Sequence, residues 1–161
     1  MSCILTDNMP DEIFIDGIGY PINTDFRVWI KFADIMSRYK ENIIECAVEV
    51  IQLCICRGKL PNSISDTMRA LFEFYASGFS QDDNSKKDTV NNENSKQVYD
   101  FIYDAKYIFA AFMSQYTIDL TEASMHWFKF CALFQGLSED EKISKIIGYR
   151  STKFGDIKDR K

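Results

Sequence analysis

His126 is the one histidine of the chain, and histidine is the side chain that most often acts as a general base near neutral pH. It stands beside Trp127 in the stretch HWFKFCALFQGLSEDEKISKIIGYR, residues 126–150. A nucleophilic triad would need a serine or cysteine activated by this base, but neither a G-x-S-x-G nor a cysteine-protease signature occurs. If the segment is helical, Glu122 lies one turn before His126 on a solvent-facing stripe. We therefore expect His126 on the surface, without a catalytic role.

Other residue pairs that could do chemistry also have a structural interpretation. Cys54 and Cys56 look like metal ligands, but side chains two residues apart on a helix point about 200° away from each other. Asp100 and Asp104 could be paired carboxylates on one helix face; acids near a helix N-terminus are the alternative, which we favour. The GIG tripeptide at 17–19 lacks the third glycine of a dinucleotide-binding loop. We expect a protein that is not an enzyme and holds no metal or cofactor.

The composition is typical of one folded domain in a reducing compartment. The 161 residues are 46% hydrophobic and 14% aromatic, which is enough to bury a core. Five cysteines without a secretory signal predict reduced thiols that are buried as small apolar side chains. The longest apolar-rich run, residues 43–56, includes two Glu and is too short and too charged to cross a bilayer. We expect a soluble cytoplasmic protein with no membrane partner.

The charge is unevenly distributed along the chain. Its formal net charge is −5, yet residues 142–161 carry seven Lys or Arg and only two acids. An acidic body with a basic end can contact an acidic protein, another copy of itself or phosphates. Because only Tyr149 and Phe154 are interleaved with these cations, we do not expect nucleic acid as a partner.

The pattern of apolar residues predicts a mainly α protein with a small N-terminal β-hairpin. The hairpin covers residues 12–22 and turns at Asp16-Gly17, a dipeptide preferred where both central turn residues need positive φ. Asn23, Thr24 and Asp25 offer N-cap side chains for the first helix. Further helices are predicted near 41–57, from Pro61 to Gly78 with Ser63 or Ser65 as cap, roughly over 100–116, from Leu120 to Gln135, and after a capping box at Ser138 and Glu141.

We expect these elements to form a bundle-like single domain of about six helices over residues 1–161. The segment 80–95 carries six charges and four Asn and cannot bury enough apolar surface to offset its ordering entropy. It is predicted to be a flexible loop between two helical halves. Residues 151–161 are predicted to be a basic tail.

Helical periodicity also predicts which side chains face inward. The fourth helix has aromatic residues on nearly every side, so we expect other helices to enclose it. In the fifth helix the apolar residues recur at alternating steps of three and four, which places them on one buried face. The predicted core includes Val48, Met68, Leu71, Phe72, Tyr75, Trp127, Phe130 and Phe134.

Two blocks of the sequence carry a family resemblance. They are DGIGYPINTDFRVWIKF at 16–32 and the block at 99–150, which contains IDL at 118–120, His126-Trp127, GLS at 136–138 and GYR at 148–150. Together they resemble the bacteriophage gene-product-fifteen family, found in tailed phages and in prophages of low-GC Gram-positive bacteria.

The resemblance implies a protein encoded in the phage tail module, near the tape-measure gene. That gene position is similar to the position of tail assembly chaperones, which cover the tape-measure protein until tail-tube subunits polymerise around it. We hypothesise a chaperone or accessory protein that binds the tape-measure protein, together with other tail assembly proteins, in the host bacterial cytoplasm. The alternative is a structural virion component, such as a head-tail joining or tail-completion protein.

Aromatic and cationic side chains are the expected features of a surface that holds a partner helix. Arg150, just after Gly148, could bond helix carbonyls, an acid from the hairpin, or a partner. We predict partner-binding roles for Trp127, Arg150, Lys129 and Tyr107. The expected partners are phage proteins, with a second copy of the chain left open, and no small-molecule substrate is expected.

Overall fold

A computed structural model describes residues 8–39, 43–56, 58, 60–79 and 98–152. It confirms a mainly α protein with an antiparallel hairpin near its N-terminus. The predicted loop at 80–95 and residues 153–161 of the predicted tail lie outside the described residues. The elements are β1 (Glu12–Ile15), β2 (Ile18–Pro21), α1 (Phe26–Arg38), α2 (Ile43–Cys54), α3 (Ile64–Ser77), α4 (Ala105–Tyr116), α5 (Trp127–Gln135) and α6 (Lys142–Ser151).

The described residues fall into two compact units. The first unit combines the residues up to 79 with 124–135 and contains both strands and helices α1, α2, α3 and α5. The second combines 98–123 with 136–152 and contains α4 and α6. The single-domain organisation stays a prediction.

The hairpin of the first unit turns where the sequence predicts. Phe14 pairs with Gly19, and Ile15 pairs with Ile18. Asp16 and Gly17, which connect the strands, have φ values of 52° and 76°. Positive φ at both central residues is the backbone requirement that the Asp-Gly dipeptide satisfies.

Replacing Gly17 with alanine should destabilise the protein by roughly 1 kcal/mol, because an L side chain resists the left-handed conformation. Space is not the obstacle, since a Cβ at Gly17 would meet no atom within 4 Å. Gly17→Asn is the matched control and should cost less, because asparagine tolerates this conformation. Urea denaturation of the two variants measures the difference. Equal losses would show that backbone strain at the turn is unimportant.

Helix α1 begins at the predicted cap. The side chain of Asp25 accepts a hydrogen bond from the backbone N–H of Arg27 at 2.9 Å, which satisfies one of the unpaired amides of the first turn. The buried side chains of α1 are Phe26, Trp29, Phe32 and Ile35. Their spacing gives one continuous face that packs against α2 and α5.

Aromatic rings fill much of the core of the first unit. Trp29 of α1 lies 4.5 Å from Phe74 of α3 between ring centroids, and Phe26 stacks on Phe130 of α5 at 4.9 Å. Trp127 and Phe134 of α5 are buried as well. The prediction that Trp127, Phe130 and Phe134 belong to the core is therefore confirmed.

Two inward-facing predictions in this unit are wrong. Val48 of α2 and Phe72 of α3 are exposed. Helix α3 packs against β1 as well as α2, so its buried face is rotated toward Phe74. In α2 the buried positions are Cys46, Ala47, Val50, Ile51 and Cys54.

The fifth helix begins later than predicted, at Trp127 rather than Leu120. Residues just before it pair with the segment that precedes α1. The amide of Trp127 donates to the carbonyl of Thr24 at 2.7 Å, and the amide of Phe26 donates to the carbonyl of Met125 at 3.0 Å. This pairing replaces the helical hydrogen bonds that the apolar periodicity had indicated, because each amide can donate only once.

The second unit is built on the packing of α4 against α6. Helix α4 begins at Ala105, not near residue 100, and ends at Tyr116; the cap residue Thr117 that follows has a left-handed φ of 55°. The prediction that this helix is enclosed on nearly every side is wrong, because Lys106, Ala110 and Met113 are exposed. Its buried side chains are Ile108, Ala111 and Phe112.

Candidate interaction surface

His126 is half-buried and holds two backbone segments together. Its Nδ1 accepts a hydrogen bond from the amide of Phe128 at 3.1 Å, and its Nε2 lies 2.9 Å from the carbonyl oxygen of Pro10. Nε2 must therefore be the nitrogen that donates. The predicted solvent-facing stripe with Glu122 is wrong, because Glu122 lies in a turn before α5 and not in the helix. Both ring nitrogens position the start of α5, which is a structural role.

Trp127 is fully buried and contacts Tyr75 of the same unit. The indole Nε1 donates to the carbonyl of Tyr75 at 3.1 Å, and the indole stacks on the Tyr75 ring at 5.2 Å. Lys129, two residues further along α5, is exposed. Of these two predicted partner-binding residues, only Lys129 presents its side chain to solvent.

Arg150 and Asp104 join α6 to the start of α4 in the second unit. The guanidinium donates from Nη1 to Oδ2 at 2.6 Å and from Nη2 to Oδ1 at 3.1 Å. Nη1 also lies 3.3 Å from the carbonyl oxygen of Val98. The Asp104 side chain is 0% exposed, and that of Arg150 is 33% exposed. A two-pronged pair of this kind fixes orientation as well as distance.

The same contact sets the charge of the buried carboxyl group. The hydrogen bond from Arg150 lowers the pKa of Asp104 below its ordinary value, against the opposing effect of burial. The amide of Asp100 adds a hydrogen bond to Oδ2 of Asp104 at 3.0 Å. Asp104 is thus held as an anion, and Arg150 serves first to anchor α6.

The turn before α4 presents apolar side chains outward. Oδ1 of Asp100 accepts hydrogen bonds from the amides of Ile102 and Tyr103, both at 2.8 Å. These hydrogen bonds satisfy the two backbone amides. The side chains of Ile102 and Tyr103 remain 54% and 79% exposed. Large exposed apolar side chains that lie side by side are a feature of interaction surfaces.

Tyr107 lies beside these residues, between two lysines. The Nζ atoms of Lys106 and Lys142 lie 4.9 and 4.6 Å from the centre of its ring, within the range of cation–π attraction. Ile102, Tyr103, Ala105, Lys106 and Tyr107 line an open depression of about 420 Å³. We call Ile102, Tyr103, Lys106, Tyr107 and Lys142 the α4–α6 surface.

The structure brings two of the four predicted partner-binding residues into one unit. Tyr107 lies in the α4–α6 surface, and Arg150 anchors α6 at the start of α4. The sequence analysis missed Ile102, Tyr103, Lys106 and Lys142. Asp100 is the sequence signal for Ile102 and Tyr103, because aspartate side chains favour turns.

The family model described as Bacteriophage Gp15 protein matches residues 5–161. The chain belongs to the bacteriophage Gp15 protein family. The match confirms the resemblance to this family that the two sequence blocks indicated. No curated protein and no solved structure matches the chain. Membership in the Gp15 family supports a structural or assembly protein of a bacteriophage.

The thiols of this Gp15 family protein are mostly buried. Burial raises the pKa of Cys54 to about 12 and also raises the pKa of Cys131, so both are protonated thiols of low reactivity. Cys46 is buried too, whereas Cys56 is exposed, so the prediction of burial is wrong for Cys56.

The described part of this Gp15 family protein shows neither a cluster of metal-binding side chains nor a helix suited to a membrane. No three or more His, Cys, Asp or Glu residues come together in an arrangement suited to a metal ion. Among the same residues, no helix combines the length and apolar character needed to cross a membrane.

Proposed function

We propose that this protein is a non-enzymatic phage tail assembly factor, a chaperone or accessory protein that binds the tape-measure protein through the α4–α6 surface. The observation that carries the proposal is the exposed pair Ile102 and Tyr103 beside the lysine-flanked ring of Tyr107. Family membership limits the setting to a bacteriophage. An assembly factor of this kind acts in the cytoplasm of the host bacterium.

The shape of the surface favours a polypeptide partner. The depression is open to solvent and combines apolar and cationic side chains, whereas small-molecule sites are usually enclosed and mostly apolar. Tyrosine is enriched at the centre of protein interfaces because it buries a large area and keeps a polar hydroxyl. A tape-measure segment with apolar and acidic residues would match these features.

The chemistry of the titratable side chains supports a role without catalysis. His126 uses both ring nitrogens on backbone groups. Asp104 is engaged by Arg150. Side chains whose polar atoms are engaged in hydrogen bonds within the protein are poor candidates for a catalytic acid, base or nucleophile, because such a group must reach the substrate.

Co-expression with the tape-measure protein tests the proposal. The wild-type chain should keep the tape-measure protein soluble and co-purify with it. Tyr103→Ser should weaken the complex about tenfold, as expected for the loss of an aromatic anchor. Tyr149→Ser is the matched control: this exposed tyrosine of α6 lies outside the surface, and its loss should change affinity little. Binding measured on the purified pair gives the comparison.

Two results would contradict the proposal. One is a wild-type chain that neither binds nor solubilises the tape-measure protein. The other is the presence of the chain in finished virions, detected by mass spectrometry in amounts comparable to known tail subunits. The second result would favour the alternative, a head-tail joining or tail-completion protein that stays in the particle.

A further inference from the structure

The β-hairpin leaves an apolar surface uncovered in the first unit. Ile13 and Ile15 face the core, whereas Phe14 points to the opposite side and is 65% exposed. Its cross-strand partner is Gly19, which offers no side chain for the ring to pack on. Cross-strand neighbours normally cover such side chains, so this surface lacks its usual cover.

Acidic side chains surround this apolar surface. Asp11, Glu12 and Asp16 are exposed, and residues 8–22 contain no Lys or Arg. Among the residues that the structure describes, no ion pair involves any of these three acids. We call Asp11, Glu12, Phe14 and Asp16 the hairpin surface.

The α4–α6 surface has the opposite charge and a similar apolar content. Lys106 and Lys142 lie over the ring of Tyr107, and neither forms an ion pair with a described carboxylate. The acids closest to Lys106 in sequence are already engaged: Asp104 with Arg150, and Asp100 with backbone amides. Lys142 directly follows Glu139, Asp140 and Glu141, of which Asp140 pairs with Lys145. Both lysines thus lack a direct carboxylate partner among the described residues, and the depression beside them has room for an apolar side chain.

We propose that the hairpin surface of one copy of the chain binds the α4–α6 surface of a second copy. Phe14 occupies the depression beside Tyr103, while Glu12 and Asp16 meet Lys106 and Lys142. The inference rests on the proposed function, because it assigns a second ligand to the same α4–α6 surface. The two surfaces are different, so the contact is head-to-tail and each copy can bind two neighbours, giving a ring or a filament.

A charge exchange in the full-length protein tests this contact. One variant carries Glu12→Lys with Asp16→Lys, and the other carries Lys106→Glu with Lys142→Glu. Each variant alone places like charges at the contact, so its dissociation constant should rise at least about fivefold relative to wild type. An equimolar mixture restores opposite charges at both kinds of contact and should associate about as well as wild type. Sedimentation velocity in about 50 mM salt measures this, because stronger salt screens the charges.

Matched controls separate the contact from general charge effects. Glu45→Lys with Glu49→Lys changes two exposed acids of α2, and Lys31→Glu with Arg69→Glu changes two exposed cations of α1 and α3. Both controls should associate like wild type. Phe14→Ser, which changes no charge, should weaken association about tenfold. Circular dichroism and thermal unfolding establish that each variant is folded.

Several outcomes would overturn the inference. They are a wild-type chain that stays monomeric at all accessible concentrations, charge variants that associate normally, and a mixture that stays dissociated although each variant is folded. Failure here is distinguishable from failure of the proposed function. Self-association is measured on the purified chain alone, whereas binding of the tape-measure protein is measured on the purified pair.

Discussion

Truncating Trp127 to alanine should lower the free energy of unfolding by about 3–5 kcal/mol, the range for large aromatic side chains removed from a core. The indole is fully buried and stacks on Tyr75. It is also packed against backbone, since a Cβ placed on Gly78 would come within 2.5 Å of Nε1. The truncation would leave a cavity and remove the indole hydrogen bond to the carbonyl of Tyr75, and both effects reduce stability.

Urea denaturation followed by far-ultraviolet circular dichroism measures this loss. Phe72→Ala is the matched control, because Phe72 is an aromatic residue of the same unit that is 38% exposed. We expect its loss to be below about 1 kcal/mol, as for other surface substitutions. A Trp127→Ala variant no less stable than Phe72→Ala would show that the indole is not part of a tightly packed core.

Replacing Arg150 with methionine should strongly destabilise the second unit. The substitution keeps much of the side-chain length but leaves the Asp104 carboxylate buried without its cation. Removing one partner of a buried ion pair destabilises a protein by about 3–5 kcal/mol. The loss here should lie toward or below the lower limit, because Arg150 is one-third exposed and water reaches the pair. Asp104→Asn should cost less, since the guanidinium it leaves behind can be hydrated.

The dependence of stability on pH distinguishes the pair from simple packing. In the wild-type chain the pKa of Asp104 is lowered by folding, so its contribution is present above the ordinary pKa of 3.8. That contribution is lost as the pH falls through the lowered value. In Arg150→Met the cation is absent and burial raises the pKa instead, so this variant should recover stability on mild acidification.

Denaturation of the two proteins at neutral pH and near pH 5 makes the comparison. Asp104→Asn introduced into the Arg150→Met background is the control. It removes the buried charge and should partly restore stability at neutral pH, where the single variant is weakest. An Arg150→Met loss that is the same at both pH values, with no recovery in the double variant, would mean that only packing was lost.

Self-association and binding of the tape-measure protein would both use the α4–α6 surface. A hairpin docked on the α4–α6 surface would occupy the residues proposed to bind the tape-measure protein. The two ligands should therefore compete, because Tyr103 and Lys106 cannot contact both at once. Competition would keep the apolar surface covered until the tape-measure protein is present, which limits nonspecific aggregation.

Most features governed by neighbouring residues were determined by the sequence alone. The capping box predicted at Ser138 and Glu141 is an exception, because α6 begins after Glu141 without a side-chain cap. Asp16-Gly17 predicts the hairpin because positive φ is a local steric property. Asp25 and Ser63 act as caps as expected, since a cap needs only amides two or three residues away. The burial of Trp127 and Phe130 also follows from helical periodicity.

The tertiary structure alone decided features that depend on residues far apart in the chain. Helix α5 starts at Trp127 because residues 24–26 and 125–127 satisfy one another's backbone groups, which periodicity does not register. His126 is held by the distant Pro10. Arg150 finds Asp104, 46 residues away. Local sequence sets which conformations are favourable, but backbone hydrogen bonds and ion pairs between distant segments select among them, and only the folded chain brings those segments together.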